Sequence, residues 1–191
     1  MLNIPNKEKK KIYNTLFLIK SGLIIYKINK TILPNYGVFD EKRYFSSNKN
    51  DDGFFEFKNK KIKFLICEDM WSDHFLNKNK KNKFDLMVAI NASPFEINKF
   101  QMRKSMARKN SLFFKSPLIY LNLVGSQDEL IFDGGSFVMN KFGKVVNQEE
   151  FFVESENIFD TDSLPSLKIV SKKIKNMENL YRALIVSLKN Y

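Results

Sequence analysis

Residues 63–73 read KFLICEDMWSD. Lys63 to Ile66 suits a strand, and Cys67 is the only cysteine of the chain. Glu68 and Asp69 follow at once, where the apolar run stops and a helix can begin at about Asp69. A cysteine at such a junction has two readings. It is an inert packing residue, or it is a nucleophile that a helix amino terminus and a nearby ammonium hold toward thiolate. The second reading predicts a thiol more acidic than the ~8.5 of a free cysteine.

Working outward, Tyr13–Ile19 and Leu23–Ile28 flank Ser21-Gly22 and predict a hairpin. Leu33-Pro34-Asn35-Tyr36-Gly37 cannot be regular structure, because Pro34 removes a donor and Gly37 frees the backbone. Asn48–Gly53 is a turn, and Phe54–Phe57 with Ile62–Ile66 make a second strand pair. Leu86–Ile90 and Leu118–Val124 are short apolar runs of the kind that fill the middle of a sheet. Asn98–Leu112 predicts a basic helix between them, and Ser136–Asn140 pairs with Lys144–Val146 across Phe142-Gly143. Residues 177–191 form an amphipathic helix with Leu180, Leu184, Ile185 and Leu188 on one face. Strands alternating with helices, beside hairpins, indicate a layered α/β domain with a mixed sheet.

The chain has 191 residues, 43% of them hydrophobic and 14% aromatic, which suffices for a core and excludes a disordered segment. No apolar run reaches the ~18 residues of a membrane span. The charged start, MLNIPNKEKKKIYN, does not read as a secretory leader. One cysteine allows no internal disulfide and fits a reducing, cytoplasmic setting. The net charge of +11 raises nucleic acid as a partner. The charge is nearly all lysine, spread along the chain, whereas nucleic-acid sites favour arginine and clustered aromatics. Its densest run, Asn77–Lys83, has no aromatic within it and reads as a solvated loop. Neither nucleic acid nor membrane is therefore expected as a partner. The lone histidine, His74, sits seven residues after Cys67 on the expected helix, which carries it away from the thiol.

ICEDMW (66–71), INASPF (90–95), NLVGSQDELIFDGGSFVMN (122–140) and KTILPNYGVFDEKRYF (30–45) together resemble the glutamine-hydrolysing amidase domain of glutamine-dependent NAD synthetases. That domain is a member of the nitrilase, or carbon–nitrogen hydrolase, superfamily. The resemblance runs from about Tyr13 to Val146 and implies a four-layer αββα sandwich, here incomplete. It implies Cys67 as nucleophile and Lys30 as catalytic lysine. Such a lysine stabilises a thiolate and, with the backbone N–H after Cys67, an oxyanion. It also implies Tyr36, Glu68, Trp71 and Ser93 as glutamine-pocket residues. A zwitterionic substrate needs a group for its amine, one for its carboxylate and a wall for its methylenes. Glu68 suits the ammonium and Trp71 the wall, while either Lys99 or Arg103 suits the carboxylate. The amidase part needs no cofactor or metal. ATP and Mg belong to a synthetase domain, the implied partner together with glutamine, and complete enzymes of this kind are homo-oligomers.

The resemblance divides the chain into an amidase domain over 1–160, a linker over 161–175 and, over 176–191, a helix like the one that opens a synthetase domain. The family's third catalytic group, a glutamate general base in a segment resembling FPEL, has no counterpart before the first hairpin. Glu8 lies in a lysine run, and Glu41 falls in a supporting position. No SGGxDS-type pyrophosphate loop occurs. The expectation is an amidase domain cut on both sides and inactive alone, or else a non-catalytic piece that associates with a complementary subunit. An apolar face should stand uncovered where elements of the sandwich are missing.

Overall fold

A computed structural model describes residues 1–49, 53–164, 167–170 and 175–190. The chain opens with a meander of β1 (Leu2–Glu8), β2 (Lys11–Lys20) and β3 (Leu23–Asn29), an antiparallel sheet in the order β1-β2-β3. A one-turn helix, α1 (Glu41–Tyr44), follows the Pro34–Gly37 stretch. Then come β4 (Phe55–Phe57), β5 (Lys60–Ile66), a 3₁₀ turn over Cys67–Trp71, α2 (Asp73–Asn79), β6 (Leu86–Asn91), α3 (Lys99–Phe114) and β7 (Leu118–Asn122). A hairpin of β8 (Val124–Gln127) and β9 (Leu130–Asp133) is followed by β10 (Phe137–Met139), β11 (Val145–Gln148) and α4 (Asn176–Asn190). The turn expected at Asn48–Gly53 falls largely on 50–52, outside the described residues.

The main sheet has six strands in the order β11-β10-β7-β6-β5-β4, with β5, β6 and β7 parallel and the rest antiparallel. Its parallel centre is buried on both faces, which is why Leu86–Ile90 is apolar without alternation. Successive residues nevertheless serve different cores. Leu65, Met87, Ala89 and Tyr120 pack under α2 and α3 against Phe75, Phe100 and Phe114. Phe64, Ile66, Leu86 and Val88 pack against Leu16, Leu18 and Ile28 of the small sheet. The layers are thus helix, sheet and sheet, the mixed α/β arrangement expected. Among the described residues no helix covers the outer face of the small sheet. Leu2 (45%), Ile4 (41%), Ile19 (46%) and Leu23 (70%) remain exposed.

The three-stranded sheet also covers only part of the six-stranded one. Beyond β1, which pairs with β2 alone, a groove of about 290 Å³ has a floor of Ile119, Leu121, Phe137 and Val138, with Met1 on one side and Phe159 on the other. Within residues 161–175, read as a linker, two points are tied to the sheet while Asp162, Lys168, Ile169 and Lys175 are exposed. Leu164 is fully buried beside Val138 and Val146, and the Val170 N–H donates to the Val145 carbonyl at 2.9 Å.

Besides the β8–β9 hairpin, which the sequence reading did not contain, two elements differ from it. The run holding Glu8 is strand β1, with Glu8 pinned by Lys27 at 2.8 Å. The last helix lies against β8 and β9 through Asn179 and Ala183, while Leu184 and Leu188, expected on its inner face, are exposed. The helix is amphipathic as expected, but its apolar face, with Met177 and Tyr181 beside the two leucines, is the one turned outward. Among the described residues no helix is long and apolar enough to cross a membrane.

Candidate active site

β5 ends at Ile66, and the chain turns sharply at Cys67, whose φ of 47° lies in the left-handed region. A cysteine held there stores strain of ~1–3 kcal/mol, which the surroundings must fix. Asp69 does so. It is 4% exposed, and its carboxylate accepts from the Ile66 N–H (3.2 Å) and from the N–H groups of Thr31 (3.1 Å) and Ile32 (2.7 Å). One side chain thus ties the cysteine turn to the segment after β3, where Lys30 sits. Asp69→Asn keeps an acceptor for Thr31 and Ile32 but turns an amide toward the Ile66 N–H. Stranding that group should cost about 1–3 kcal/mol in a urea melt. An unchanged midpoint would remove Asp69 from this role.

Lys30 and Cys67 line one cavity of about 330 Å³, together with Asn3, Asn14, Glu41 and Asn91 among others. Lys30 is 1% exposed and its Nζ lies 2.6 Å from Glu41 Oε1. The second Glu41 oxygen is buried without a hydrogen-bond partner. Burial pushes the Cys67 thiol up to about 11; the Lys30 ammonium opposes this, and the carboxylates of Glu68, Glu41 and Asp69 add to it. The acidic thiol expected from the sequence is therefore absent, because desolvation outweighs the one ammonium. Iodoacetamide alkylation of Cys67 should keep accelerating past pH ~8.5, where a free thiol levels off, and should level near pH 11. A plateau at neutral pH would restore the acidic thiol.

Outward of the thiol lies a second cluster. The Tyr36 hydroxyl donates to Glu68 Oε2 at 2.9 Å; burial and that carboxylate push its pKa up to about 12, with smaller contributions from Cys67 and Glu96. Lys99, at the start of α3, lies 5.8 Å from the centre of the Trp71 ring and 3.1 Å from Glu96. Arg103, one turn on, is fully buried and makes no approach to this cluster. Its Nη1 donates to Asp133 Oδ1 at 2.7 Å, its Nη2 to the carbonyls of Ser93 and Pro94 at 2.8 Å each, and its Nε to Ser93 Oγ at 3.1 Å. His74 is exposed on α2, as expected. Asp69, Glu96, Asn122 and Asp133 were not singled out from the sequence. Asp69 and Asp133 carried a signal only in standing inside the quoted motifs, since a carboxylate in a loop reads as solvated.

The carbon–nitrogen hydrolase family profile matches residues 1–162. A glutamine-dependent NAD(+) synthetase of a Synechocystis species is 36% identical over 198 residues, covering 96% of this chain and 35% of the relative. One from Acinetobacter baylyi is 35% identical over 94% of this chain and 34% of its own length. The chain thus spans about a third of the curated relatives it matches. The solved structure of a glutamine-dependent NAD+ synthetase from Acinetobacter baumannii in complex with ADP superposes with a TM-score of 0.89 at 35% identity, over 99% of this chain and 36% of that one. A Helicobacter pylori carbon-nitrogen hydrolase shares the fold at a TM-score of 0.67 and 19% identity, over 78% of this chain and 57% of the other. A profile match over most of the residues, on a fold that brings lysine and cysteine into one cavity, makes this chain a member of the carbon–nitrogen hydrolase family.

Proposed function

We propose that the chain is the glutamine-hydrolysing part of a cytoplasmic NAD synthetase and supplies ammonia to a synthetase domain or subunit. The observation that carries this reading is the shared cavity of Lys30 and Cys67, with Tyr36, Glu68, Trp71 and Lys99 clustered outside it. Cys67 Sγ attacks the side-chain carboxamide carbon of glutamine. The C–N bond breaks, ammonia leaves with the thiol proton, and water hydrolyses the glutamyl thioester to glutamate. Lys30 faces the charge that builds on the carboxamide oxygen. Glu68 takes the substrate ammonium and Trp71 walls the methylenes. Lys99 takes the substrate carboxylate; Arg103 is spent inside the protein. The reaction needs no metal or cofactor, while the ATP and Mg of the synthesis step belong to the synthetase domain. We assign 1–160 to the amidase domain and α4 to the approach to that further domain.

A thiol near 11 needs a proton acceptor. Among the described residues Glu41 is the only carboxylate lining the cavity, and Lys30 holds one of its oxygens. Glu8 faces away, bound to Lys27. Full turnover therefore calls for a glutamate delivered on an added strand. The unpaired edge of β1 and the apolar groove beside it favour a second reading, in which association with a complementary segment is the chain's main role. Ammonia release from glutamine, with and without a glutamate-bearing segment, tests the first reading, with Cys67→Ala as control.

A further inference from the structure

The parallel pairing of β6 with β7 ends at Asn91 and Asn122. Beyond it the backbone of β6 continues through Ala92, which lines the Cys67 cavity, to Ser93 and Pro94. No strand pairs with Ser93, yet its peptide groups are not free. The Asn122 carboxamide takes the place of a neighbouring strand. Its Oδ1 accepts from the Ser93 N–H at 2.9 Å, and its Nδ2 lies 3.2 Å from the Ser93 carbonyl. The same Nδ2 stands 3.2 Å from Asp133 Oδ1 and from the Gly134 carbonyl. Arg103 grips the other side of the turn through Ser93 Oγ and the carbonyls of Ser93 and Pro94, and its charge is met by Asp133.

We infer that Asn122 is a positioning residue for the glutamine pocket, setting Ser93 through its backbone and acting on substrate affinity rather than on the reactivity of Cys67. The inference rests on the glutamine reading, in which Ser93 is a pocket residue. Three features carry it. Asn122 holds Ser93 and not the thiol: Lys30 and Cys67 are placed by β3, β5 and Asp69, none of which contributes to this network. The clamp needs an amide. The position must accept from an N–H and donate toward two carbonyls and a carboxylate, which among side chains of this size only asparagine does. The groups that half-buried Asn122 holds are themselves buried, with Arg103 at 0%, Asp133 at 2% and Ser93 at 5% exposure, so loss of the amide strands partners inside the protein.

The test uses a glutamine analogue whose carboxamide is replaced by a chloromethyl ketone, with labelling of Cys67 followed by intact mass. Its rate against concentration separates the binding constant from the limiting rate of alkylation. The same chloromethyl ketone without amine and carboxylate, and iodoacetamide, report thiol reactivity alone. Asn122→Asp keeps the shape but removes the donors and sets a second carboxylate against Asp133. It should weaken binding of the analogue about tenfold, as expected for stranded buried partners, while the limiting rate and iodoacetamide alkylation hold within about twofold of the unmodified chain. Asn122→Ser removes the clamp without adding charge and gives the same reading if the aspartate variant does not fold. An unchanged binding constant in these variants, or equal slowing of analogue and iodoacetamide, overturns the inference and leaves the glutamine reading standing. Labelling of the original chain that never saturates, and is no faster than with the stripped ketone, overturns both.

Discussion

Ammonia release from glutamine is expected to rise by roughly 10²–10⁴ when the chain is given, fused or in trans, the amino-terminal segment of a related carbon–nitrogen hydrolase that carries a glutamate next to a strand; this is the usual worth of a positioned general base. The expectation follows from the cavity. Burial holds the Cys67 proton in place up to about pH 11. Lys30 stabilises negative charge but, as an ammonium, cannot take a proton. The thioester, once formed, also needs a group to activate water. The segment should dock at the free edge of β1, where the inward-facing Asn3 already lines the cavity. Turnover gained with the segment should vanish with Cys67→Ala. If the chain alone turns over as fast as the supplemented one, Glu41 is the base, acting through its buried and unpartnered Oε2.

Lys30→Met should cost about 3–5 kcal/mol in equilibrium unfolding, the penalty for breaking a buried ion pair from one side. Lys30 is 1% and Glu41 18% exposed at a separation of 2.6 Å, so the pair is shielded from water on the lysine side. Methionine fills the space and strands the carboxylate. The second effect is on the thiol. Lys30 is the charge that pulls the Cys67 proton equilibrium down, so its loss should slow alkylation at every pH below the plateau. Lys30→Met with Glu41→Leu separates the two effects, since stability should return while reactivity returns only in part, Lys30 acting on the thiol more strongly than Glu41 does. A loss of only ~0–1 kcal/mol in the single variant, the worth of an exposed pair, would mean that the two side chains do not depend on one another.

The centre of the main sheet was legible because burial on both faces writes an unbroken apolar run, as in Leu86–Ile90. β1 was not, because an edge strand with Asn3, Pro5, Asn6 and Lys7 carries no apolar alternation; it is held by its register with β2, which no local signal reports. The β8–β9 hairpin was hidden for a related reason. It is a short pair turning at Asp128, with a φ of 52°, inside a stretch rich in polar residues. Cys67 and Lys30 were legible through motif alone, since one lysine among many carries no mark of its own. The buried roles of Asp69, Asn122 and Asp133 arise only when distant loops meet, and nothing in their neighbours announces that. The thiol is pushed the other way from expectation because sequence shows the ammonium and the helix start but not the desolvation and the gathered carboxylates that oppose them.

That desolvation has a bearing on how the cysteine ages. Peroxide and other two-electron oxidants attack thiolates, and a thiol whose surroundings push it up presents less thiolate at neutral pH than a free cysteine does. As the single cysteine of the chain it also has no internal partner with which to form a disulfide. On the proposed reading the sulfur is therefore chemically quiet between substrates, and acts as a nucleophile when a bound molecule and a proton acceptor close over it together.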